Sequence, residues 1–98
     1  MQVEFIEPAS IELDDAIEYY ELQMNGLGKI FFNEVLDTTE LLSQFPFLWS
    51  KCTVNTRKAA MRKFPYNIIY SVLIDKIYVI ALAHQHREPE YWIDRLNS

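Results

Sequence analysis

The chain has 98 residues, half of them apolar, and a formal net charge of −5 at pH 7. This length fits one domain covering residues 1–98, and the apolar content excludes an intrinsically disordered chain. The one cysteine, Cys52, cannot close an internal disulfide. No apolar run approaches the roughly 18 residues of a membrane span, and the N-terminus lacks the pattern of a signal peptide. We therefore expect a cytoplasmic protein that does not associate with membranes.

Charge is distributed unevenly along the chain. Residues 1–50 contain ten acidic side chains and one basic side chain, whereas residues 51–98 contain four acidic and eight basic ones. The halves therefore carry net charges of −9 and +4. This asymmetry predicts one surface that repels polyanions and another that attracts an acidic partner, although two ordinary solvated surfaces would give the same numbers.

The first half of the chain predicts a strand followed by two helices. Residues 2–7 are β-prone, and Pro8 suits the entry to a helix. From Ala9, apolar residues recur at 9, 13, 16, 17, 20 and 24, which is the period of one helix face. The opposite face carries Glu12, Asp15 and Glu18, which we expect to be solvated. Asn25-Gly26 predicts the end of this helix.

The second predicted helix runs from about Leu27 to Phe45, where Pro46 ends it. Its apolar side chains predict a broad buried face; they are Phe31, Phe32, Val35, Leu36, Leu42 and Phe45. Two antiparallel helices joined at Asn25-Gly26 form a helical hairpin.

The second half predicts strands. Residues 57–64 give a weak strand pattern, while 67–74 and 77–84 give strong ones, separated by Asp75-Lys76 at hairpin spacing. Pro89 is placed to begin a short C-terminal helix. The predicted fold is therefore α+β with two layers, in which a helix hairpin packs on a mainly antiparallel sheet in the order β-α-α-β-β-β.

Three blocks of sequence resemble the RelE/ParE toxins. Residues 13–21 (LDDAIEYYE), with Gly26-Leu27-Gly28 and Phe31, resemble their helix hairpin. Residues 62–70 (RKFPYNIIY) resemble their central strand pair, and residues 80–92 (IALAHQHREPEYW) resemble their closing strand and tail. The resemblance covers most of the chain in the family's order. It implies the fold above and the toxin of a bacterial type II toxin–antitoxin pair, often called a plasmid stabilisation protein.

The two branches of this family differ in what they act on. RelE-like members cut messenger RNA on the ribosome, and ParE-like members inhibit DNA gyrase; each implies a neutralising antitoxin. Where the RelE-like branch often carries a catalytic arginine, this chain has Asn67, which brings no cation to a phosphate. An acidic chain is also poorly suited to ribosome binding. We expect a ParE-like gyrase inhibitor, with ribosome-dependent RNA cleavage and a non-toxic antitoxin-binding protein as alternatives.

The resemblance and the charge pattern nominate partner-binding residues, which are Arg57, Lys58, Arg62, Lys63, Tyr66, Arg87, Tyr91 and Trp92. The cations at 57–63 are predicted to form a basic face on one strand, or else to protect a sheet edge. Tyr91-Trp92 is either an aromatic anchor for a partner or a lid on the sheet. Arg87 is suited to a carboxylate, to a phosphate or to a local ion pair.

Catalysis, if present, has four candidate residues, which are Arg62, His84, Arg87 and Tyr91; Lys63 joins them in the RNA-cleavage alternative. A histidine such as His84 more often anchors a turn than transfers a proton. The spacing of His84, His86 and Glu88 is not that of a zinc site. We expect no metal, no cofactor and no sequence-specific DNA binding.

Overall fold

The computed structural model of the chain describes residues 1–97. Its elements are β1 (Gln2–Phe5), α1 (Glu7–Gln23), α2 (Leu27–Gln44), β2 (Lys51–Thr53), β3 (Thr56–Ala60), β4 (Tyr66–Val72), β5 (Lys76–His84) and a 3-10 helix, η1 (Ile93–Asn97). The predicted order of strand, two helices and three strands is confirmed. The structure adds β2, and its C-terminal helical turn begins at Ile93 instead of Pro89.

The five strands form one sheet in the order β1-β5-β4-β3-β2. β1 pairs parallel to β5, and the other neighbours are antiparallel. The helix hairpin covers one face of this sheet, which we call the helix face, and the opposite face is called the far face. The predicted α+β architecture with two layers is therefore confirmed.

The main core lies between the hairpin and the helix face. Its fully buried side chains come from both layers and include Phe31, Val35 and Leu42 of α2 and Ile68, Tyr70, Ile77, Val79 and Leu82 of the sheet. The buried face of α2 is narrower than the sequence predicts. Leu36 points to solvent, and Phe45 lies beyond the last residue of α2, so both side chains are exposed.

An aromatic cluster links the helices to the end of the sheet that carries His84. The ring of Phe31 lies 5.0 Å from the rings of Tyr20 and Phe64 and 5.2 Å from Tyr66, measured between centroids. Tyr66 in turn contacts His84 at 5.1 Å. Most of these contacts are edge-to-face, the arrangement that aromatic pairs prefer. The core packing of α2 therefore fixes the position of His84.

The turn between the helices depends on both glycines of the chain. Gly26 has φ +89°, a backbone conformation that favours glycine, and it is the N-cap of α2. α1 itself ends at Gln23, just before the predicted stop at Asn25-Gly26. The Glu21 carboxylate accepts hydrogen bonds from the backbone N–H groups of Gly26 and Gly28, at 3.0 to 3.1 Å. At Gly28 the two helices approach so closely that a Cβ would lie 2.7 Å from the carbonyl oxygen of Ile17.

β3, β4 and β5 differ from the prediction in their boundaries and in a bulge. The weak strand at 57–64 ends at Ala60, and the β4–β5 turn is centred on Ile74-Asp75, one residue earlier than predicted. In β5, Ile80 is an extra residue, because Ile69 pairs with Ala81 while Tyr70 pairs with Val79. This bulge turns Ile80 and Ala81 both toward the far face, where they join one cluster.

Replacing Tyr70 with phenylalanine tests the anchoring of the α2–β2 connection. The Tyr70 hydroxyl donates a hydrogen bond to the carbonyl oxygen of Pro46 at 2.9 Å. We expect its loss to reduce the free energy of unfolding by about 1 kcal/mol, measured by urea denaturation. Tyr19→Phe, at an exposed tyrosine, is the control. Equal effects of the two substitutions would contradict the role of this bond.

Candidate functional site

The predicted basic face on one strand does not exist. Arg57 and Lys58 are consecutive residues of β3 and therefore lie on opposite faces of the sheet. Arg62 and Lys63 lie beyond the end of β3, in the loop that leads to β4. The four cations consequently lie in three different places: one on each face of β3 and two in the loop. The prediction was wrong because neighbouring residues of a strand point to opposite faces.

Arg57 braces the loop that precedes β2. It shares the helix face with buried Ala59, and its Nη1 donates a hydrogen bond to the carbonyl oxygen of Trp49 at 2.6 Å. Its guanidinium also lies 5.1 Å from the centroid of the Phe47 ring. These contacts give Arg57 a structural task, separate from the other predicted partner-binding cations.

Arg62 and Lys63 are held through their backbone, which leaves their side chains exposed. The Glu34 carboxylate on α2 accepts hydrogen bonds from both backbone N–H groups, with distances of 3.1 and 3.2 Å to Lys63. Because this carboxylate bonds backbone N–H groups, it orders the loop without neutralising the positive side chains of Arg62 and Lys63 through a direct ion pair. Both cations are thus presented to solvent on an ordered turn.

Replacing Glu34 with glutamine tests whether this bond orders the loop. We expect the amide hydrogens of Arg62 and Lys63 to exchange about tenfold faster, because a charged acceptor bonds N–H groups more strongly than a neutral one. Hydrogen exchange followed by NMR measures this. Glu40→Gln, at an exposed acid of the same helix, should leave both amides unchanged. Unchanged exchange in Glu34→Gln would contradict the role of the carboxylate.

A pocket of about 470 Å³ on the far face brings together several of the predicted residues. Lys51 and Lys58 line it from the sheet, while His84, Arg87 and Tyr91 line it from the end of β5 and the segment beyond. Exposed carboxylates of Glu88 and Glu90 also border it. Arg57, Arg62, Lys63 and Tyr66 do not line this pocket.

Trp92 forms a lid on the far face. Its side chain is only 3% exposed and packs on Ile69, Ile80, Ala81 and Ala83. Of the two interpretations of Tyr91-Trp92, the structure therefore shows the lid for Trp92. The prediction of Trp92 as a partner contact is not met in this conformation, because its ring is already occupied by the sheet.

His84 is poorly placed to accept a proton. Its Nδ1 accepts a hydrogen bond from the backbone N–H of His86 at 3.1 Å. In the neutral imidazole this arrangement assigns the proton to Nε2, which is then a donor. Its ring also packs against Tyr66 and His86. His84 thus anchors the turn after β5, as histidines at strand ends often do.

Glu12 is the residue that sequence analysis misplaced. It was expected on the solvated face of α1, but its side chain is only 15% exposed and contacts the C-terminal segment, residues 85–97. Its carboxylate accepts hydrogen bonds from the Tyr91 hydroxyl and from both Nη atoms of Arg95, at 2.9 and 3.0 Å. The available signal was its position, since residue 12 lies between apolar residues 9 and 16 on the helix surface.

Tyr91 is therefore a hydrogen-bond donor and a platform for Arg87. Burial, reinforced by the bond to Glu12, raises the pKa of Tyr91 well above its usual value. The guanidinium of Arg87 stacks 3.8 Å from the centroid of the Tyr91 ring, and its side chain remains 56% exposed. Of the four catalytic candidates, His84 and Tyr91 are engaged internally, whereas Arg62 and Arg87 face solvent.

Alkaline pH should destabilise the protein through Tyr70, which is fully buried, and through the half-buried Tyr66 and Tyr91. Burial raises the pKa values of Tyr66, Tyr70 and Tyr91 above 10 in the folded state, so the unfolded chain loses these protons first. Stability is then fully present below pH 10 and falls as the pH rises further. Urea unfolding between pH 8 and 11 measures the slope. Tyr91→Phe should have a shallower slope, and an unchanged slope would contradict this assignment.

Residues 1–97 contain no group of three or more His, Cys, Asp or Glu side chains placed to hold a metal ion. Within the same residues, no helix is long and apolar enough to cross a membrane.

Comparison with known proteins identifies a family and a solved structure that this chain resembles. The family model of the ParE toxin of the type II toxin–antitoxin system, parDE, matches residues 3–89. A solved structure of a chromosomal ParDE toxin–antitoxin system from P. aeruginosa has a similar fold, with a TM-score of 0.73 and 13% sequence identity over 86% of this chain and 95% of that chain. No curated protein matches the sequence. Because the family match spans both the helix hairpin and the sheet, this chain belongs to the ParE toxin family of type II toxin–antitoxin systems.

Proposed function

We propose that this protein is a cytoplasmic toxin that inhibits DNA gyrase by protein–protein contact and that a cognate antitoxin neutralises it. Membership of the ParE family supports the toxin and the antitoxin partner. Gyrase follows from the ParE-like character of the sequence, in which Asn67 replaces the arginine frequent in the RNA-cleaving branch. The proposed target of the toxin is therefore the surface of another protein.

The state of the candidate acid–base groups carries the proposal. General acid–base catalysis needs a group free to exchange its proton with substrate. His84 Nδ1 and the Tyr91 hydroxyl are both occupied by bonds within the chain. Arg62 and Arg87 remain exposed, and exposed arginines suit recognition of a carboxylate-bearing protein surface. This arrangement favours contact over catalysis.

Expression in bacteria tests toxicity and neutralisation together. We expect growth arrest when the protein is expressed alone and normal growth when the neighbouring antitoxin gene is expressed with it. Normal growth without the antitoxin, at confirmed folded expression, would contradict toxicity. If the two proteins still formed a complex in that case, the non-toxic antitoxin-binding alternative would replace the proposal.

We expect Arg87→Ala to need about tenfold higher expression than the wild type to inhibit growth equally. The reason is that a partly desolvated arginine contact is worth about 1.4 kcal/mol or more. The matched control is Lys29→Ala, which removes an exposed cation of α2 outside the far-face pocket. Circular dichroism should show that both variants fold. Equal toxicity of the two variants would contradict a contact through Arg87.

A supercoiling assay with purified gyrase tests the target directly. We expect the wild-type protein to inhibit supercoiling and prior addition of the antitoxin to prevent the inhibition. Undiminished supercoiling at a large molar excess of the protein would exclude gyrase while leaving the toxin assignment intact.

Ribosome-dependent RNA cleavage is the second candidate, favoured by the cations Lys51, Lys58 and Arg87 around one pocket. Cations in a pocket of this size suit a nucleotide phosphate. Primer extension on messenger RNA after induction distinguishes the two functions. Cleavage at defined positions would favour this candidate, and intact transcripts in growth-arrested cells would exclude it.

A further inference from the structure

The Glu12 carboxylate connects three distant parts of the chain. It is carried by α1, and its Oε1 accepts hydrogen bonds from the backbone N–H of Leu82 at 3.1 Å and from Nη1 of Arg95 at 2.9 Å. Its Oε2 accepts from Nη2 of Arg95 at 3.0 Å and from the Tyr91 hydroxyl. One mostly buried carboxylate thus holds α1, β5 and the C-terminal segment together.

The position of this ion pair follows from the short length of β1. Within residues 1–97, β1 pairs with Lys76–Val79 only, so this edge of β5 has no neighbouring strand from Ile80 onward. There Glu12 accepts a hydrogen bond from the N–H of Leu82, and Nη1 of Arg95 donates one to the carbonyl oxygen of Ile80 at 3.0 Å. The pair therefore satisfies backbone groups that a further strand residue would otherwise bond.

The same contacts determine where Arg87 points. Glu12 fixes the Tyr91 hydroxyl, and the Tyr91 ring supports the guanidinium of Arg87 at 3.8 Å from its centroid. Nη1 of Arg87 lies 3.8 Å from Oε2 of Glu12. Asp15 and His84 border the same small pocket as Glu12 and Arg87. Only Arg87 of the segment's two arginines keeps more than half of its side chain exposed.

We infer that Glu12 is a positioning residue: it anchors the C-terminal segment through Arg95 and Tyr91 and thereby holds Arg87 at the mouth of the far-face pocket, ready for a carboxylate of a partner protein. The anchoring concerns the isolated protein. The role of Arg87 toward a partner rests on the proposed function.

The anchoring is tested on the isolated protein with Glu12→Gln, which keeps the shape of the side chain and removes its charge. We expect trypsin to cleave after Arg87 and Arg95 about tenfold faster, and the amides of residues 85–97 to exchange faster to a similar degree. Amides of β4 and α2 should keep their protection. Glu18→Gln, at an exposed acid of α1, is the control and should change none of these.

A second variant guards against misfolding. If Glu12→Gln lost its helical circular dichroism, Arg95→Gln would break the same anchor from the segment. It should give the same local release, measured by cleavage after Arg87 and by amide exchange, because this variant has no trypsin site at residue 95. Equal cleavage after Arg87 and equal exchange in the wild type, Glu12→Gln and Arg95→Gln would overturn the inference. So would a uniform loss of protection over the whole sheet, because Glu12 would then support the fold in general.

The coupling to Arg87 is tested with the purified antitoxin encoded by the neighbouring gene as the probe. We expect Glu12→Gln and Arg87→Ala each to weaken association about tenfold and the double variant to be little weaker than either. Additive losses would show that Glu12 does not act through Arg87. If the wild type bound no antitoxin, the partner role of Arg87 would fall with the proposed function, while proteolysis and exchange would still decide the anchoring.

Discussion

Phe31→Ala is expected to remove about 3–5 kcal/mol from the free energy of unfolding, the largest loss for any one residue discussed. The Phe31 side chain is fully buried and is the centre of the aromatic cluster with Tyr20, Phe64 and Tyr66. Truncation removes apolar contact area and leaves a cavity that neighbouring rings cannot fill. A domain of this length has about 5–15 kcal/mol in total, so this one substitution removes a large share of its stability.

Urea denaturation followed by far-UV circular dichroism measures the loss. Phe47→Ala is the control, because Phe47 is an exposed phenylalanine whose ring contacts Arg57. We expect it to cost under about 1 kcal/mol, since an exposed ring buries little apolar area. A similar loss in both variants would contradict the central position of Phe31 in the core.

Gly28→Ala is expected to cost about 2–3 kcal/mol, because the added methyl group meets backbone. The new Cβ would lie 2.7 Å from the carbonyl oxygen of Ile17 and 3.0 Å from Oε1 of Glu21. The Glu21 side chain can rotate away, but the Ile17 carbonyl belongs to α1. The two helices must therefore separate, which also weakens the hydrogen bond from the Gly28 N–H to Glu21.

Gly26→Ala is the matched control for this effect. Among the described residues other than its two chain neighbours, no atom lies within 4 Å of the position of its Cβ, so the strain comes from the left-handed backbone at φ +89°. We expect a loss of about 1 kcal/mol, the usual cost of a non-glycine residue in that conformation. Thermal unfolding of both variants provides the comparison. If Gly26→Ala were the more damaging substitution, close helix packing at Gly28 would not be the dominant constraint.

Much of the fold follows from local pattern. The apolar residues of α1 repeat at helical spacing, and Asn25-Gly26 locates its end closely, since α1 ends at Gln23 and the left-handed Gly26 begins α2. The long apolar runs of β4 and β5 likewise identify two central strands. β2 was not predicted, because its three residues, Lys51–Thr53, show no alternation of apolar and polar side chains. Its pairing is with β3, the next strand of the same hairpin.

The candidate site was harder to predict, because it depends on contacts between residues far apart in the chain. Glu12 and Arg95 are separated by 83 positions. The position of Glu12 between apolar residues 9 and 16 indicates that it lies beside the buried face, but no local pattern identifies Arg95 as its partner. Trp92 likewise becomes a lid only when the chain turns back over the far face. By contrast, Arg62, Lys63 and Arg87 were correctly expected at the surface, since long charged side chains are rarely buried without partners.

Pairing between the first and last strands has a consequence for synthesis on the ribosome. β1 is completed within the first five residues, yet its neighbour β5 begins at Lys76. A nascent chain that ends before this strand therefore cannot close the sheet, and the sequence separation of the contact favours late folding. The surface that carries Arg87 is assembled later still. An unfinished polypeptide would thus present neither the closed sheet nor an Arg87 stacked on Tyr91.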